Sequence, residues 1–380
     1  MPERVRIGSL FSGAGGLDMA VEEVFGGEVV WQCEFNGAAS KVLAHRYPHV
    51  PNFGDVTAID WGSVDPVDVM CGGYPCQPFS AAGQRKGTDD ERHLWPYFAE
   101  AIRRVRPRYV VLENVAGHRS MGFDCVLGDL ADIGYDAQWC SVRASDVGAP
   151  HRRERLFILA HPAGQPWRVD NGTELRAGWG AQRPGPTTGP GAVADAARDG
   201  RDKGRTESAG FVGGSDVAER SGEPVDLLPT PNAADGNGGG RLNSPGHQST
   251  LPGTVRELLP TPRKSDGDGG ANPLSRAERM DDVETRVIRI GQQWGKYEPA
   301  IRRWESVTRP APAPTEPNSK GNPRLSPEFP EWMMGWPAGW VTQVPGISRN
   351  DQLRIIGNGV CPQQAVAALR WLLNVCEVAA

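Results

Sequence analysis

The sequence predicts an α/β fold, with a mostly parallel, doubly wound sheet joined to a smaller, irregular region. Three observations support this prediction. Strand-like and helix-like segments alternate over roughly the first 160 residues, which is typical of a parallel sheet with crossover helices. The chain opens with a strand, a glycine turn and a helix, as doubly wound nucleotide-binding sheets do. After Pro162 the hydrophobic periodicity disappears, and about 30% of residues 163–275 are Gly or Pro, a level typical of irregular chain.

The first elements provide a candidate nucleotide site. Residues 5–11 have the pattern of a strand, and the helix after the glycine turn is predicted over 17–25. A dinucleotide fingerprint would need a third glycine where Asp18 stands, which disfavours an NAD site and a nucleotide-dependent oxidoreductase. The next strand ends in Glu34, where a carboxylate can accept hydrogen bonds from ribose hydroxyls. A surface glutamate after a strand is the alternative interpretation.

A thiol follows the strand predicted at 67–71. The chain runs from this strand through a glycine turn to Cys76. Because open α/β sheets bind ligands at the carboxyl ends of their strands, Cys76 is a candidate nucleophile. The polar segment 80–92 is predicted to be a mobile loop beside it. A later apolar strand ends in Glu113 and Asn114, and a carboxylate there is costly to bury unless it has a partner or a function.

The other segments of the first block continue the alternation. Helices are predicted over 94–105 and 125–133, and strands over 108–115, 137–142 and 156–160. Together with the earlier elements, these segments complete a mostly parallel sheet in a block that covers 1–162.

Order returns after the irregular block 163–323, in a C-terminal segment that covers 324–380. Ser326 is predicted to cap a helix that starts at Pro327. A tight turn is predicted over 354–362, followed by a final helix over 363–375 with one apolar face. That face must pack on something, and the first block is the expected surface. The two ends of the chain would then close one domain.

Charge and cysteine content exclude few function classes. The net charge is −5 at pH 7, and such a chain can still carry a basic groove, so charge neither supports nor excludes nucleic acid. The seven cysteines have neither a CxxC pair nor zinc spacing, which predicts reduced thiols, no metal site and a cytoplasmic location. The start lacks the apolar run of a signal peptide, and no run of about 18 apolar residues occurs, so no membrane association is expected.

An ordered set of motifs gives the sequence a family resemblance. In chain order the motifs are Phe11-x-Gly-x-Gly-Gly16, Glu34, Gly54-Asp55, Pro75-Cys76-Gln77, Glu113-Asn114-Val115, Arg152-Arg153-Glu154-Arg155, Arg324-Leu325-Ser326-Pro327 and Gly357-Asn358-Gly359-Val360. The chain resembles the C5-cytosine DNA methyltransferases of bacterial or phage type over nearly all of residues 5–160 and 324–375. The resemblance implies the Rossmann-like fold of S-adenosylmethionine-dependent methyltransferases, with 163–323 as the target-recognition region.

The resemblance implies covalent catalysis on a cytosine in duplex DNA. Cys76 would attack C6 of a cytosine flipped out of the stack, because no thiol reaches C6 inside a duplex. Glu113 would donate a proton near N3, which requires that burial raise its pKa. Arg153 and Arg155 would hold the pyrimidine carbonyl and the catalytic loop. The implied catalytic residues are Cys76, Gln77, Glu113, Asn114, Arg153 and Arg155.

The resemblance also implies S-adenosylmethionine as the cofactor. Phe11 would contact the adenine, Glu34 the ribose and Asp55 the adenine amino edge, while the glycine turn would make room for the ligand. The implied cofactor-binding residues are Phe11, Gly13, Gly15, Gly16, Glu34, Phe35, Asp55, Val56, Pro75, Leu94, Trp95, Asn358, Gly359 and Val360. The implied DNA-binding residues are Ser80, Gln84, Arg85, Lys86 and Arg92.

The middle block contains two copies of one motif. Residues 227–238 return 31 residues later at 258–269, as Leu-Leu-Pro-Thr-Pro followed by Asp-Gly-x-Gly. Two copies do not make a solenoid. They predict two similar loops, a candidate DNA-facing pair, with a duplicated linker as the alternative. A helix within 287–305 and a Pro-rich linker over 309–323 are also predicted, and Thr250-Leu251 resembles a short signature of the family's target-recognition regions.

Two residues depart from the family pattern, and two others follow directly after one of its motifs. His151 replaces the usual Gln before the arginines, and Gly359 stands where Ser or Ala is commoner. Neither change removes a side chain that the chemistry needs. His118 and Arg119 follow the strand of Glu113, and a solvated loop is expected there more than DNA contact.

Two other functions remain as alternatives to a DNA methyltransferase. An RNA cytosine methyltransferase with the same core is disfavoured by the sizeable middle block. A catalytically idle DNA-binding regulator is disfavoured by the intact set Cys76, Glu113 and Arg155. The expected protein is a monomer that binds double-stranded DNA and serves restriction-modification, phage self-protection or orphan methylation, with any cognate restriction endonuclease acting separately.

Overall fold

A computed structural model describes residues 4–75, 94–164, 225–237, 250–258, 294–321 and 323–379. Its centre is a six-stranded sheet with the strand order β2-β1-β3-β4-β6-β5. The strands are β1 Arg6–Leu10, β2 Glu28–Cys33, β3 Val69–Gly72, β4 Tyr109–Val115, β5 Tyr135–Arg143 and β6 Glu154–Pro162. Strands β1 to β4 pair in parallel, and β6 pairs antiparallel with both β4 and β5. The prediction of a mostly parallel α/β sheet is therefore confirmed.

Helices cover both faces of this sheet because alternate residues of the buried strands point to opposite sides. The helices of the first block are α1 Gly16–Phe25, α2 Gly37–Arg46, α3 Trp95–Val105 and α4 Phe123–Ile133. Met70 and Val110 pack with α3 and α4 on one face. Val69 and Val111 pack on the other face with α1 and the final helix α9, Pro362–Ala379.

The final helix closes the domain, as the sequence predicts. Leu369 and Leu372 are fully buried in the cluster that contains Val21 of α1. Gln364 is buried, and its Nε2 donates to the carbonyl oxygens of Val142 and Arg153, each at 2.7 Å. The C-terminal helix therefore packs directly on the sheet that the N-terminal block forms.

The described parts of 163–323 share a hydrophobic core with the C-terminal segment. The helices concerned are α5 Leu251–Leu258, α6 Glu298–Val307, α7 Glu328–Met333 and α8 Arg349–Asn358. Leu228 and Leu251 are buried in the same cluster as Trp304 and Trp332, and Trp304 Nε1 donates to the Trp332 carbonyl at 2.9 Å. The pair Thr250-Leu251 thus stands at the start of a packed helix.

Three expectations for the later chain need correction, and the helix expected within 287–305 is confirmed with different bounds. The linker predicted at 309–323 contains β7 Thr315–Pro317, which pairs antiparallel with β8 Pro323–Leu325. Helix α7 begins at Glu328 with Pro327 as its N-cap residue, so Ser326 does not cap it. Much of the turn predicted at 354–362 is α8, which is capped by the Ser348 hydroxyl. The helix expected within 287–305 runs from Glu298, and 287–293 lie outside the described residues.

The first copy of the repeated motif packs against the protein. Leu228 N donates to the Pro150 carbonyl at 2.8 Å and forms a parallel bridge with His151. Gly236 lies against α8, where an added Cβ would come within 2.6 Å of the Asn350 carbonyl oxygen. This copy is docked on the first block and α8, and the second copy lies beyond the described residues from 259 onward. Among the described helices, none is long and apolar enough to cross a membrane.

Asp18 joins α1 to the sheet at the position where a dinucleotide site would have glycine. Its carboxylate is fully buried, and it accepts hydrogen bonds from Ser9 Oγ at 2.6 Å and from Gln32 Nε2 at 2.8 Å. Burial raises the pKa of Asp18 to about 6, against the lowering effect of these two bonds. The folded protein therefore binds a proton at Asp18 more tightly than the unfolded chain does.

We expect Asp18→Asn to change how stability depends on pH. A raised carboxyl pKa stabilises the wild type at low pH, and this contribution is lost as the pH rises through about 6. Asparagine does not titrate, and it can still bond to both neighbours if its Oδ1 accepts from Gln32 Nε2 and its Nδ2 donates to the Ser9 hydroxyl oxygen. The stability of the variant relative to wild type should therefore increase by on the order of 1 to 3 kcal/mol between about pH 4 and pH 7. Urea unfolding at both pH values measures this, and a constant difference would contradict it.

Candidate active site

A cavity of about 720 Å³ opens at the carboxyl ends of the four parallel strands. Each of β1 to β4 contributes a wall residue at or just beyond its last positions, namely Phe11, Glu34, Gly73 and Glu113. Another part of the wall comes from the end of α8 and the residue after it, Gly357 to Gly359. Strand ends are where open α/β sheets bind their ligands, so this cavity is the candidate active site.

A buried ion pair lies in this cavity. Arg155 Nε is 2.9 Å from Glu113 Oε1, and only 17% and 12% of the two side chains are exposed. Their strands are antiparallel neighbours, with Glu113 opposite Phe157. Burial raises the pKa of Glu113, while the positive charges of Arg155 and Arg153 lower it. The desolvation effect is the larger one, so this carboxyl group can hold a proton at a higher pH than an ordinary glutamate.

Gly73 leaves room for this carboxylate. A Cβ on Gly73 would lie 2.9 Å from Glu113 Oε2. The glycine belongs to the turn after β3, and both residues line the cavity. The pair Gly72-Gly73 therefore allows the chain to pass close to the acid on its way to Pro75.

Asn114 holds the chain that leads to the predicted nucleophile. Its Nδ2 donates to the Tyr74 carbonyl at 3.1 Å, and its Oδ1 accepts from Val115 N at 2.8 Å. Pro75 lines the cavity. Cys76 and Gln77 lie outside the described residues, as do the predicted DNA contacts Ser80, Gln84, Arg85, Lys86 and Arg92. The described geometry makes Asn114 a positioning residue for the segment that precedes Cys76.

Arg153 bridges three parts of the chain. It is buried, with φ at 26°, and its guanidinium donates to the carbonyls of Pro231 at 3.2 Å and Gly359 at 2.5 Å. Its backbone N donates to Thr230 Oγ1 at 3.3 Å. Burial lowers the pKa of Arg153 to about 9. The guanidinium bonds to main-chain carbonyls here, so the structure offers Arg155 rather than Arg153 as the arginine that contacts the acid.

The residue after β2, Glu34, supplies a polar part of the cavity wall. Glu34 Oε2 accepts from Gly13 N at 2.8 Å, and Oε1 accepts from Asn36 N at 2.6 Å. A carboxylate has about four acceptor positions, so Glu34 can still accept bonds from a ligand. Burial raises the pKa of Glu34, and its two backbone bonds lower it.

Two aromatic residues flank this carboxylate. Phe11 has φ at 53°, a left-handed conformation that is uncommon outside glycine, and its ring lies 6.1 Å from that of Phe98. Phe35 is 79% exposed and lines the cavity. An exposed phenylalanine is costly in water, and a flat apolar ligand in the cavity would cover it.

The cavity wall near Glu34 continues in short loops. Asp55 Oδ1 accepts from Thr57 N and Oγ1 at 2.9 and 2.8 Å, and these bonds lower its pKa. Val56 and Leu94 line the cavity beside it. The second Asp55 oxygen is thus available at a rigid turn.

Four residues expected to bind the cofactor do not line the cavity: Gly15, Gly16, Trp95 and Val360. Trp95 is buried, and its Nε1 donates to Asp129 Oδ2 at 2.6 Å. Gly16 packs so closely on the C-terminal segment that an added Cβ would be 2.5 Å from the Val360 carbonyl oxygen. These residues pack behind the cavity wall and do not form its surface. They were expected to bind because they neighbour wall residues in sequence, but closeness in sequence does not determine which way a side chain points.

The packing of Trp336 explains why residue 359 is glycine. A Cβ on Gly359 would lie 2.3 Å from Trp336 Cζ2. The indole is buried, and its Nε1 donates to the Val360 carbonyl at 2.8 Å. A serine or alanine at this position would collide with the ring.

The two histidines near the motifs are buried. His151 Nε2 lies 3.0 Å from the Met333 carbonyl oxygen, and burial is the main cause that lowers the pKa of His151 to about 3. His118 Nε2 lies 2.8 Å from the Tyr74 hydroxyl. The expectation of a solvated loop at His118 is therefore wrong, because its ring is buried against Tyr74 and Phe123.

Sequence reasoning missed several wall residues, among them Asn36, Thr57, Tyr74, Asp351 and Arg354. Arg354 and Asp351 form an ion pair of 2.8 Å on α8. Their spacing of three is a helical signal, and the Ser348 cap was a second one. Recognising α8 as a helix would have placed both side chains near the Gly-Asn-Gly motif.

The sheet order, the glycine turn and the cavity at the strand ends define the Rossmann-like fold of S-adenosylmethionine-dependent methyltransferases. A putative DNA modification methyltransferase encoded within a prophage of E. coli shares the fold, with a TM-score of 0.50, 20% identity and coverage of 97% of this chain and 99% of that chain. The S. pombe Dnmt2 methyltransferase gives a TM-score of 0.50, 14% identity and coverage of 97% and 98%. At these identities the likeness shows the fold alone.

The model of the C-5 cytosine-specific DNA methylase family matches residues 5–183, so this segment of the chain is similar to that family. The type II methyltransferase M.HhaI of Haemophilus parahaemolyticus is 31% identical over 160 residues, which are 41% of this chain and 48% of that protein. M.DsaV of Dactylococcopsis salina is 32% identical over 155 residues, 40% of this chain and 44% of that protein. The matched part therefore spans less than half the length of either relative.

We expect Gly359→Ala to destabilise the protein, because the methyl group would overlap the Trp336 ring. Overpacking of this kind costs about 1 to 3 kcal/mol of unfolding free energy. Gly128→Ala in α4 is the matched control, since its Cβ would meet nothing within 4 Å and alanine favours a helix by up to about 1 kcal/mol. Urea unfolding of both variants measures the difference. Equal stability of the two variants would contradict the packing account.

Proposed function

We propose that the protein transfers a methyl group from S-adenosylmethionine to C5 of a flipped cytosine in a specific sequence of duplex DNA. The observation that carries the proposal is the Glu113–Arg155 pair, with its low exposure and its place in the cavity at the strand ends. A buried acid with a raised pKa, beside a chain that leads to a cysteine, suits chemistry that needs a proton donor and a nucleophile together.

The proposed reaction starts with addition of the Cys76 thiolate to the cytosine ring. C5 of cytosine is a poor nucleophile toward a methyl sulfonium. When the sulfur of Cys76 bonds to C6, the C5–C6 π electrons move into the ring, and Glu113 delivers its proton to N3. C5 then carries enamine-like electron density and can accept a methyl group. After methyl transfer N3 returns its proton to Glu113, and loss of the C5 proton to a base then expels the Cys76 thiolate and restores the aromatic ring.

Arg155 has two tasks in this scheme. Its guanidinium keeps the Glu113 carboxyl group oriented through the 2.9 Å contact. It also offers further donors to the pyrimidine carbonyl oxygen, since a guanidinium has five N–H groups. A positive group at that oxygen stabilises the negative charge that spreads over the ring during addition.

The cavity wall fits the proposed cofactor. Glu34 retains acceptor positions for ribose hydroxyls, Asp55 has a free oxygen for an amino group, and Phe11 and Phe35 offer aromatic surface. Acidic side chains also suit a ligand that carries a sulfonium and an ammonium charge. When bound, S-adenosylmethionine supplies the methyl group. Asn358 and Gly359 would hold it from the C-terminal side.

We assign sequence recognition to 163–323 and loop closure over the base to 80–92. In this assignment Ser80, Gln84, Arg85, Lys86 and Arg92 contact the DNA. Side chains of the middle block would read base edges in the major groove. The proposed setting is a monomer in the cytoplasm that methylates DNA in restriction-modification, phage self-protection or orphan methylation, with any restriction endonuclease acting separately.

Duplex DNA that contains 5-fluorocytosine is expected to trap the enzyme covalently. The fluorine cannot leave C5 as a proton does, so the Cys76–C6 bond persists after methyl transfer. A mobility shift that survives denaturation measures the adduct. Cys76→Ser should remove the adduct completely. Cys125→Ser is the matched control, because Cys125 is an exposed free cysteine, and it should be trapped like wild type.

Two results would contradict this function. Trapping of Cys76→Ser at the wild-type level would refute the nucleophile. Absence of any wild-type adduct with a pool of random duplexes, together with adduct formation on fluorinated RNA, would identify an RNA methyltransferase instead.

A further inference from the structure

Tyr74 is fixed on several sides just before the predicted nucleophile. Its side chain is buried, and its ring packs on Trp95 with centroids 4.9 Å apart and meets Phe98 edge-on at 6.4 Å. Its carbonyl accepts the hydrogen bond from Asn114 described above. Its hydroxyl lies 2.8 Å from Nε2 of His118. The chain therefore enters Pro75 from an anchored residue.

His118 is anchored equally well on the other side of this bond. It lies in the short helical turn Ala116–Ser120, which follows β4 directly. Its ring is buried and meets Phe123 edge-on at 6.0 Å. Burial lowers the pKa of His118, so the imidazole is neutral at physiological pH, and Nε2 can accept from or donate to a hydroxyl.

The Tyr74–His118 bond joins the two chain segments that carry the proposed catalytic groups. Cys76 stands two residues after Tyr74, and His118 stands five residues after Glu113. The Asn114–Tyr74 bond joins the same two segments through the backbone. Two tethers therefore connect the end of β3 to the end of β4, one through a main-chain carbonyl and one through a side chain.

The geometry points to Tyr74 and His118 as positioning residues for methyl transfer, whose hydrogen bond holds Tyr74, two residues before Cys76, next to the segment that follows the strand of Glu113. This inference rests on the proposed function. Bond formation between sulfur and C6 requires near-contact geometry, and small displacements of a nucleophile slow such steps strongly. Loss of the tether should therefore slow addition to C6 more than it weakens binding of DNA or S-adenosylmethionine.

The test compares Tyr74→Phe with wild type in the full-length protein. The rate of adduct formation on 5-fluorocytosine DNA and the single-turnover methylation rate at saturating S-adenosylmethionine should both fall by about three- to tenfold, the range expected for one hydrogen bond. The dissociation constant for S-adenosylmethionine, measured by calorimetry, should change by less than about twofold on the same scale. His118→Leu should give the same loss of rate, and the double variant should lose no more than either single variant. His118→Gln, which keeps a polar atom near the position of Nε2, should recover most of the rate.

Tyr135→Phe is the matched control. Tyr135 is also buried in the same core cluster, and its hydroxyl donates to the Pro107 carbonyl at 2.6 Å. That bond lies near the start of β4, away from the strand ends that line the cavity. In thermal unfolding, Tyr135→Phe should lose about as much stability as Tyr74→Phe. Its single-turnover methylation rate should stay at the wild-type value.

Three outcomes would contradict the inference, and a fourth would contradict the proposed function. Wild-type rates in Tyr74→Phe, additive losses in the double variant, or equal loss of rate in Tyr135→Phe would each overturn the positioning role. Failure of wild type to form any adduct would instead contradict the proposed function, so the two failures are distinguishable.

Discussion

The contact between Glu113 and Arg155 is the interaction on which the candidate site depends. A carboxylate at the end of a buried strand is unfavourable alone, and a guanidinium at 2.9 Å makes its burial tolerable. The balance is uneven, because desolvation still outweighs the positive charges and leaves the pKa of Glu113 raised. Such an acid can be protonated when a ring nitrogen needs a proton and ionised afterwards. Gly73 contributes to this arrangement, because it has no side chain that would crowd Glu113 Oε2.

The cavity is also a product of chain closure. The strand ends of the first block form one part of its wall, and Gly357 to Gly359 form another. These two parts are joined through Arg153, which donates to the Gly359 carbonyl, and through Gln364, which donates to the Arg153 carbonyl. Arg153 also donates to the Pro231 carbonyl, so the middle block contacts the arginine that joins the first block to the C-terminal segment. A change in the middle block can therefore reach the site through main-chain carbonyls rather than through exposed side chains.

Much of the first block could be predicted because its elements follow simple patterns. Buried parallel strands give continuous apolar runs, and an acid that ends such a run, such as Glu34 or Glu113, has to lie at the ligand edge of the sheet. Orientation could not be predicted in the same way. Trp95 and Val360 neighbour wall residues in sequence but point into the core, because packing of the whole domain decides the side on which each lies.

The later chain was harder to predict for a physical reason. Helix α8 buries only Leu353, Ile355 and Ile356 among its side chains, and most of its other residues are polar or small, so its periodicity is weak. The docking of Leu228 beside His151 depends on a backbone hydrogen bond to the Pro150 carbonyl that no side-chain pattern encodes. The presence of glycine at position 359, where a larger residue is commoner, is explained by the position of the Trp336 ring, which the sequence does not show.

Exchange of the C5 proton of cytosine tests the central claim most directly, because it needs both addition at C6 and protonation at N3. Duplex DNA labelled with tritium at cytosine C5 is incubated with wild type, Glu113→Gln and Glu154→Gln, where Glu154 is a partly exposed acid that pairs with Arg143. Wild type and Glu154→Gln should release tritium to water at similar rates, and Glu113→Gln should be slower by about 10² to 10⁴. Release by Glu113→Gln at the wild-type rate would contradict the role of the buried acid.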